Sequence, residues 1–505
     1  MTTEQPQSES AELSERRRWI ALIVLCAGFL MIILDQTIVN VALPTIRRDL
    51  HFSQSNLAWV INAYLIAFGG LLLLVGRLGD LIGRRRIFLV GLTIFTSASL
   101  LCGVAQSQAV LIGARFVQGI GGAMTAAVIL GMIVTMFPKP AELARAIGVY
   151  SFVAAAGGAI GLLLGGVLTQ ALNWHWIFFV NIPIGIATGL LAIRLIPSER
   201  GIGLRQGADA PGALLLVGAL MLAVYAIVEA SNYGWGSAHT LGFGAVSVAL
   251  LAGFVRRQMT ARHPLIPLRA FRSRTATVAN LTQALMVAGI FGMFFLGALY
   301  LQRVLGYDPI KVGVAFLPVA LGIAGFSVRF TPQLMMRFGS KRTLLAGLVL
   351  VAGGLILFRR APVSASYARD LLPVMVLLGV GAGLVFPSVM TLAMSAATPE
   401  DSGLASGLVN TSQQVGGALG LAVLATLASS RTNTLHAGGA SAASALTGGY
   451  QLAFTIAAAL VIVAVVVAAV WLPAPPGLRL AERPAGEDVS PEATAEDLAY
   501  AEEAA

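Results

Sequence analysis

A single acid lies in the middle of the first long apolar stretch of the chain. Asp35 is placed within residues 20–41, which are otherwise almost all apolar and long enough to cross a bilayer. A charged carboxylate at the centre of a membrane helix costs about 2.5–3.5 kcal/mol on insertion scales. Because a carboxyl group avoids much of that cost by binding a proton, the sequence predicts a site that exchanges one proton per cycle.

The composition indicates that the surroundings of this acid are a membrane. Hydrophobic residues make up 57% of the 505 residues and charged residues only 11%, and the mean hydropathy is +0.83. A soluble domain of average composition carries about 25% charged residues. The net charge of +10 lies in short clusters rather than in a basic patch, which argues against a nucleic-acid partner. The two cysteines lie in apolar stretches and predict neither a disulfide framework nor a metal site.

Fourteen apolar stretches are long enough to span a bilayer, which predicts an all-α membrane protein. Lys and Arg concentrate in alternate loops, above all in residues 256–274 with six arginines, so the positive-inside rule predicts that both termini are cytoplasmic. The predicted spans are 19–43, 56–76, 87–106, 109–133, 146–170, 175–196, 211–231, 240–256, 277–302, 311–331, 343–359, 371–395, 404–428 and 450–472.

The chain repeats itself after 256 to 260 residues. The loop at 76–86 recurs at 332–342, and two glycine patterns recur with nearly the same offset. This predicts two parallel six-helix halves, a transporter design in which the substrate binds between the halves near the midplane. The predicted organisation is an N-terminal tail at 1–18, a first half at 19–200, two inserted helices with a basic linker at 201–275, a second half at 276–472 and an acidic disordered tail at 473–505.

The loop at 76–86 carries an acid among glycines and arginines. Its glycines permit a tight turn, and Asp80 can pair with an arginine or face a helix N-terminus across the boundary between the halves. A generic basic loop explains the arginines but neither Asp80 nor the glycine spacing. The residues predicted to form an inner gate are Gly76, Asp80, Gly83, Arg84 and Arg85.

Four segments resemble the major facilitator superfamily. The loop at 76–86 resembles its loop signature, and residues 34–44 resemble the first-helix signature of its fourteen-helix drug:proton antiporter branch. Residues 111–121 and 174–185 resemble the fourth-helix and sixth-helix motifs of that branch. The resemblance implies the major facilitator fold and export of lipophilic drugs or toxic small molecules from the cytoplasm in exchange for protons.

Arg115, within the fourth-helix motif, is a second costly charge in the membrane. A buried arginine keeps its proton and needs an acceptor. In the family the equivalent arginine is implicated in proton transfer, and Asp35 would be its natural partner here. A conformational change that alters their separation would switch the proton affinity of Asp35. The alternative is a fixed structural ion pair.

The predicted fifth helix carries a face of small residues that lets helices approach closely. It resembles the antiporter motif of the family, which is associated with exporters, except that Leu162 stands where the motif has proline. Close packing alone explains the glycines equally well. The glycines of this face are Gly157, Gly158, Gly161, Gly165 and Gly166.

Polar or aromatic residues within the predicted helices are candidates for contacts with the substrate, although such groups in membranes often only bond to neighbouring helices. Asp35 is the only deep acid that the sequence identifies, which favours neutral, monocationic or lipophilic substrates. The candidates are Gln36, Asn40, Asn62, Tyr64, Gln118, Gln283, Phe294, Phe295, Asn410, Gln413 and Gln414.

Taken together, these features predict a monomeric multi-pass transporter of the cell membrane whose partners are protons, the lipid bilayer and a lipophilic small molecule. The proton gradient is its predicted energy source, with no cofactor and no metal. The sequence shows no catalytic triad, metal spacing or phosphate-binding loop, so an enzyme is not predicted. Two alternatives are an exporter dedicated to an endogenous antibiotic, siderophore or lipid, and a membrane sensor that transports nothing.

Overall fold

In the computed structural model the chain is almost wholly helical. The structure describes residues 7–53, 56–137, 140–197, 203, 209–262, 264–265, 273–395 and 402–473, which leaves nearly all of the predicted acidic tail outside the described residues. The helices are α1 (Gln7–Asp49), α2 (Trp59–Ile82), α3 (Arg84–Gly103), α4 (Gln108–Met136), α5 (Pro140–Ala171), α6 (Trp176–Phe179), α7 (Asn181–Leu195), α8 (Ala210–Tyr233), α9 (Ala238–Thr260), α10 (Arg274–Arg303), α11 (Pro309–Gly325), α12 (Thr331–Phe338), α13 (Ser340–Phe358), α14 (Leu372–Met394), α15 (Ser402–Ala437) and α16 (Ala442–Trp471).

Over the described part of the chain, these helices correspond to the fourteen spans that the sequence predicts. Among the described residues, thirteen helical segments are long and apolar enough to span it. The remaining crossing is α5, which is 32 residues long and includes the apolar segment Ile160–Ala171. The pair α6 and α7 forms one crossing, and α11 and α12 form another, joined by a π-helical turn at Phe326–Phe330. The predicted all-α membrane fold is confirmed, although α1 begins at Gln7, inside the predicted N-terminal tail.

The internal repeat is visible in the way the helices pack. A Cβ built on Gly119 of α4 would lie 2.5 Å from the carbonyl oxygen of Tyr64 in α2. A Cβ built on Gly379 of α14 would lie 2.7 Å from the carbonyl oxygen of Val319 in α11. The glycines therefore bring the corresponding helices of each repeat into backbone contact at matching positions.

The two related loops also share their backbone conformation. Gly83, between α2 and α3, has φ of 113°, and Gly339, between α12 and α13, has φ of 83°. These angles lie in the region that residues with a Cβ rarely adopt. Each loop therefore reverses the chain direction at a glycine, 256 residues apart, as the sequence repeat predicts.

Contacts between the first and the last six crossings run mainly along α2 with α15 and along α5 with α11. The inserted helix α8 packs against α2 and α15 next to this boundary, while α9 packs against α8. Asp209 caps the start of α8 and accepts hydrogen bonds from Arg257 and Gln258 at the end of α9, at 2.9 and 2.8 Å. These hydrogen bonds hold the two inserted helices, α8 and α9, together at one end of the bundle.

Candidate functional site

Asp35 lies in the middle of α1 and is completely buried. Its Oδ2 accepts a hydrogen bond from Nη1 of Arg115 in α4 at 2.5 Å, across 80 residues of sequence. Its Oδ1 accepts from Nε2 of Gln118 at 2.8 Å and from Nδ2 of Asn181 in α7 at 3.1 Å. Three donors from two other helices therefore surround a carboxylate that has no contact with solvent.

Arg115 is held from several sides besides its ion pair with Asp35. Its Nε donates to the carbonyl oxygen of Val60 in α2 at 2.9 Å, and its Nη1 donates to Oε1 of Gln118 at 2.7 Å. The guanidinium carbon lies 4.5 Å from the centre of the Tyr64 ring, a cation–π contact. These contacts fix the position of the positive charge even though only 1% of the residue is exposed.

Ser99 of α3 links the two amides that reach Asp35. Its hydroxyl accepts hydrogen bonds from Nε2 of Gln118 at 3.1 Å and from Nδ2 of Asn181 at 3.0 Å. It donates to the carbonyl oxygen of Phe178 in α6 at 2.9 Å. The Asp35 site therefore joins side chains from α1, α3, α4 and α7 into one buried polar network.

Ser99 and Asn181 are site residues that the sequence alone does not predict. Asn181 lies within the sixth-helix motif that carries the family resemblance, and this was the available signal. The sequence around Ser99 carries no such signal, because a lone serine in an apolar helix is common. By contrast, Asp35, Arg115 and Gln118 are brought together as an ion pair and its bonded neighbour.

The loop at 76–86 is closed by contacts within the first six crossings. Oδ1 of Asp80 accepts from Nε and Nη2 of Arg84 at 3.2 and 3.0 Å, and Nη1 of Arg84 donates to the Gly131 carbonyl of α4 at 3.1 Å. Arg85 donates to the Ile193 carbonyl of α7. Of the two contacts predicted for Asp80, the structure has the pairing with an arginine, which lies one helical turn along the chain and not across the boundary between the halves. A Cβ on Gly76 would meet nothing within 4 Å, so no close packing requires that glycine.

The glycines of α5 serve two faces rather than the single face that the sequence analysis proposed. A Cβ on Gly157, Gly161 or Gly165 would lie within 3.0 Å of atoms of α1, whereas one on Gly166 would lie 2.7 Å from the carbonyl oxygen of Pro309, the first residue of α11. A Cβ on Gly158 would meet nothing within 4 Å. The physical reason is that consecutive residues are about 100° apart around a helix, which turns Gly166 away from the face formed by Gly157, Gly161 and Gly165.

The α5 backbone at Leu162 belongs to the second of these faces. The side chain of Leu162 is buried, and its carbonyl oxygen would lie 2.6 Å from a Cβ on Gly313 of α11. The residue that replaces the proline of the motif therefore sits where the two halves meet.

Several predicted substrate-lining residues are already engaged in the first half. Gln118 belongs to the Asp35 network, and Tyr64 covers the guanidinium of Arg115. Nε2 of Gln36 lies 3.5 Å from the Tyr64 hydroxyl, and Nδ2 of Asn40 donates to the backbone oxygen of Gln36 at 3.1 Å. These contacts account for the four side chains without a substrate.

The remaining candidates lie on α2, α10 and α15. Nε2 of Gln283 in α10 donates to Oε1 of Gln413 in α15 at 3.3 Å, and a Cβ on Gly69 of α2 would lie 2.5 Å from Cβ of Gln414. The Phe294 ring lies 5.4 Å from that of Phe316. The others are the exposed Asn410 and the fully buried Phe295 and Asn62.

A family model, described as the Major Facilitator Superfamily, matches residues 25–421. The chain belongs to the Major Facilitator Superfamily. It is therefore a multi-pass membrane transporter, as the first-helix, fourth-helix and loop motifs predicted.

Characterised relatives of the chain carry names of resistance and export proteins. It is 39% identical to the puromycin resistance protein pur8 of Streptomyces alboniger, over 92% of this chain and 93% of that protein. It is 38% identical to the cephamycin export protein CmcT of Amycolatopsis lactamdurans, over 82% and 85%. It is 34% identical to the multidrug resistance protein Stp of Mycobacterium tuberculosis, over 81% and 75%.

Solved transporter structures share the fold. A bacterial homologue of the human lysosomal transporter Spinster, in an inward-facing and unoccupied conformation, aligns with a TM-score of 0.63 at 18% identity, over 91% of this chain and 99% of that one. The POT family transporter PepTSo aligns with a TM-score of 0.66 at 16% identity, over 89% of this chain and 97% of that one. At these identities the likeness concerns the fold alone.

Proposed function

We propose that this superfamily member is a proton-coupled antiporter that exports lipophilic small molecules from the cytoplasm by alternating access. Both termini are cytoplasmic in this proposal, because the basic loops then face inward. Asp35 is the proton-binding group, Arg115 is its counter-charge, and the loop at 76–86 belongs to the inner gate.

One observation carries the proposal. Asp35 is a completely buried acid within a membrane helix, and it faces an arginine that belongs to another helix. A buried ion pair is weak evidence for stability, since desolvation opposes its Coulombic attraction. An acid inside a membrane segment is by default a functional group. Proton exchange is the role that such a group can perform without a cofactor.

In the proposed cycle, substrate enters a cavity open to the cytoplasm while Asp35 is ionised. The two halves then rock about the binding site, an external proton neutralises Asp35, and the substrate leaves. The protonated carrier returns and releases its proton inward. One proton supplies about 1.4 kcal/mol per pH unit and about 2.3 kcal/mol per 100 mV of membrane potential.

The test is substrate-dependent proton flux in proteoliposomes under an imposed pH gradient, comparing the wild type with Asp35→Asn. Asp370→Asn is the matched control, because Asp370 lies in the turn that precedes α14 and outside the site. We expect lipophilic cations or neutral dyes to release protons through the wild type and the control, and Asp35→Asn to lose at least nine-tenths of that flux. Equal flux through all three proteins would reject Asp35 as the coupling group.

The relatives favour one second candidate, an exporter dedicated to a single antibiotic. Two of them, from Streptomyces and Amycolatopsis, are named for one compound each, puromycin and cephamycin. The same assay separates the two candidates. A multidrug exporter responds to several unrelated lipophilic compounds, whereas a dedicated one responds to a single chemical class and ignores the rest.

A further inference from the structure

A cavity of about 820 Å³ lies between the two halves at the end of the bundle where α1 and α10 finish. Arg47, Arg48 and His51 line it from the first half, and Arg303 and Tyr307 line it from the second. In the orientation proposed above, this is the outer end of the transporter. It is distant along α1 from Asp35 and takes no part in the proton-binding network.

The halves touch each other beside this cavity. Nε2 of Gln302 in α10 donates to the carbonyl oxygen of Val41 in α1 at 2.8 Å. Oε1 of Gln170 in α5 accepts from the backbone N–H of Ile310 in α11 at 3.2 Å. The basic side chains from both halves therefore meet in the conformation in which this end of the bundle is closed.

The three arginines have no carboxylate partner among the residues that the structure describes. Nε of Arg47 donates to the carbonyl oxygen of Phe52 at 3.1 Å, which fixes its position but leaves its charge uncompensated. One acid, Asp308, lines the same cavity, and its Oδ1 caps α11 by accepting from the backbone N–H of Lys311 at 2.8 Å. Its single negative charge stands against three arginines, so the lining stays net positive. Oδ2 of Asp49, next to Arg48 in the chain, accepts from the indole of Trp174 at 2.7 Å.

Helix C-termini explain the presence of the arginines only in part. Arg47, Arg48 and Arg303 each stand in the last turn of α1 or α10, where the helix dipole favours a cation. That effect accounts for each helix separately. It does not account for two such ends converging on one cavity, where their like charges repel whenever the halves close.

We propose that this cavity binds a phosphate group, carried by a phospholipid headgroup or by a soluble phosphate compound. Several arginine forks match the several acceptor oxygens of a phosphate, and its charge would offset the repulsion between the halves. The apolar walls at Pro44, Phe52 and Pro309 leave room for the organic part of the ligand, and the volume lies in the range of small-molecule sites. Because the arginines come from both halves, the bound anion stabilises the state in which this end is closed.

The experiment measures the thermal unfolding midpoint of the full-length protein in detergent, with inorganic phosphate or with chloride at equal ionic strength. We expect phosphate to raise the midpoint of the wild type, and Arg48→Gln and Arg303→Gln each to lose at least two-thirds of that rise. Arg359→Gln is the matched control, since Arg359 is an exposed arginine at the end of α13 that does not line the cavity. The control should keep the full rise.

A second arm identifies the source of the phosphate group. The same proteins are reconstituted in vesicles of phosphatidylcholine alone or mixed with phosphatidylglycerol, whose headgroup is anionic. An Arg48- and Arg303-dependent rise with phosphatidylglycerol but not with inorganic phosphate assigns a lipid headgroup, and the reverse assigns a soluble phosphate. The proposal is overturned if neither arm produces a rise, or if Arg359→Gln loses the rise as much as the two cavity variants.

Discussion

When Asp35 binds a proton, the guanidinium of Arg115 does not lose all of its acceptors. The carbonyl oxygen of Val60 and Oε1 of Gln118 still accept from it, and the Tyr64 ring still covers it. An arginine with none of these contacts would be an uncompensated buried charge, which costs several kcal/mol. The surroundings of Arg115 thus lower the cost of a neutral Asp35, as the proposed proton-binding role requires.

The geometry predicts that lysine cannot replace Arg115. Lysine keeps the charge but carries its three donors on one nitrogen, so it cannot occupy both the Nη1 position, which bonds to Asp35 and Gln118, and the Nε position, which bonds to Val60. We expect Arg115→Lys to lower substrate-dependent proton flux at least tenfold in proteoliposomes. The control is Met375→Leu, at the position related to Arg115 by the repeat offset of 260. The prediction is contradicted if Arg115→Lys retains more than half of the control flux.

Sequence reasoning identified the charged members of the site because charge in a membrane is costly, so Asp35 and Arg115 were conspicuous. It did not identify Ser99 or Asn181. The hydroxyl and amide of these two residues are of types that also bond within their own helix or to lipid headgroups. Ser99 and Asn181 reach the Asp35 network only because of the way α3 and α7 are rotated about their own axes. An apolar sequence does not specify that rotation.

At the scale of helices, glycine positions decide how closely α3 and α4 approach. A Cβ on Gly121 would lie 2.4 Å from the backbone nitrogen of Phe95 and 2.8 Å from the carbonyl oxygen of Gly91. A Cβ on Gly113, in the same helix, would meet nothing within 4 Å. One helix therefore offers both a constrained glycine and a free one.

We expect Gly121→Ala to destabilise the protein by about 1–3 kcal/mol, the usual cost of overpacking, since backbone atoms cannot move aside. Gly113→Ala should be neutral or stabilising by up to about 1 kcal/mol, because alanine favours the helix. Thermal unfolding midpoints of the two variants in the same detergent test this. Equal midpoints would show that α3 and α4 do not pack as described.

The junction of α8 and α9 should be sensitive to acid. Burial alone would raise the pKa of Asp209, but hydrogen bonds from Arg257, Gln258 and the backbone N–H of Gly212 hold that pKa below its ordinary value. A carboxylate with a lowered pKa contributes stability above its unfolded pKa of about 4. That contribution is lost as the pH falls through the lowered value in the folded protein.

Asp209→Asn should therefore lower the unfolding midpoint at pH 7, by the equivalent of about 1 kcal/mol for the lost charge assistance. The difference in unfolding midpoint between Asp209→Asn and the wild type should become smaller as the pH falls below about 4. Ser237→Ala removes the uncharged cap of α9 and serves as the control, with a gap that does not change with pH. A constant gap for Asp209→Asn would mean that its charge does not join the two helices.

Hydropathy located all fourteen crossings but not their ends. The predicted first span, 19–43, lies within the longer helix α1 (Gln7–Asp49). The predicted span 404–428 likewise lies within α15 (Ser402–Ala437). Helices extend past the apolar region because backbone hydrogen bonding continues in water, where polar side chains are not penalised. The break between α6 and α7 was also missed, since residues 175–196 are uniformly apolar enough to read as one helix.

At the scale of the whole molecule, the two repeats share their packing but not their polar chemistry. Gly416 and Gly420 of α15 pack against Ala284 and Ala288 of α10, as Gly157 and Gly161 pack against α1. This relation places Met286 where the first half has Asp35. The offset between the glycine patterns of α4 and α14 likewise places Met375 and Leu378 where the first half has Arg115 and Gln118. At these positions the second half is apolar, so in the proposed cycle only the first half carries the proton-binding group.

Closure between α5 and α11 depends on Gly166, whose added Cβ would lie 2.7 Å from the Pro309 carbonyl. We expect Gly166→Ala to favour the state in which this end is open, and about 1.4 kcal/mol of strain would change the ratio of the two states tenfold. The readout is maleimide labelling of Tyr307→Cys, since the native Cys26 and Cys102 are buried.

Gly158→Ala is the matched control on the same helix, because a Cβ there meets nothing within 4 Å. Labelling should be several-fold faster with Gly166→Ala and unchanged with Gly158→Ala. If both variants label at the wild-type rate, the contact at Gly166 does not limit opening.

The 80 residues between Asp35 and Arg115 also set an order of events during synthesis. At about 5–20 residues per second, α1 leaves the ribosome some 4–16 s before the arginine that will neutralise it. During that interval a nascent first helix resides at the membrane with an acid that has no counter-ion. The uncharged carboxylic acid is the form that lipid accepts most readily, so we expect the nascent helix to enter the membrane with Asp35 neutral and to pair it with Arg115 only later.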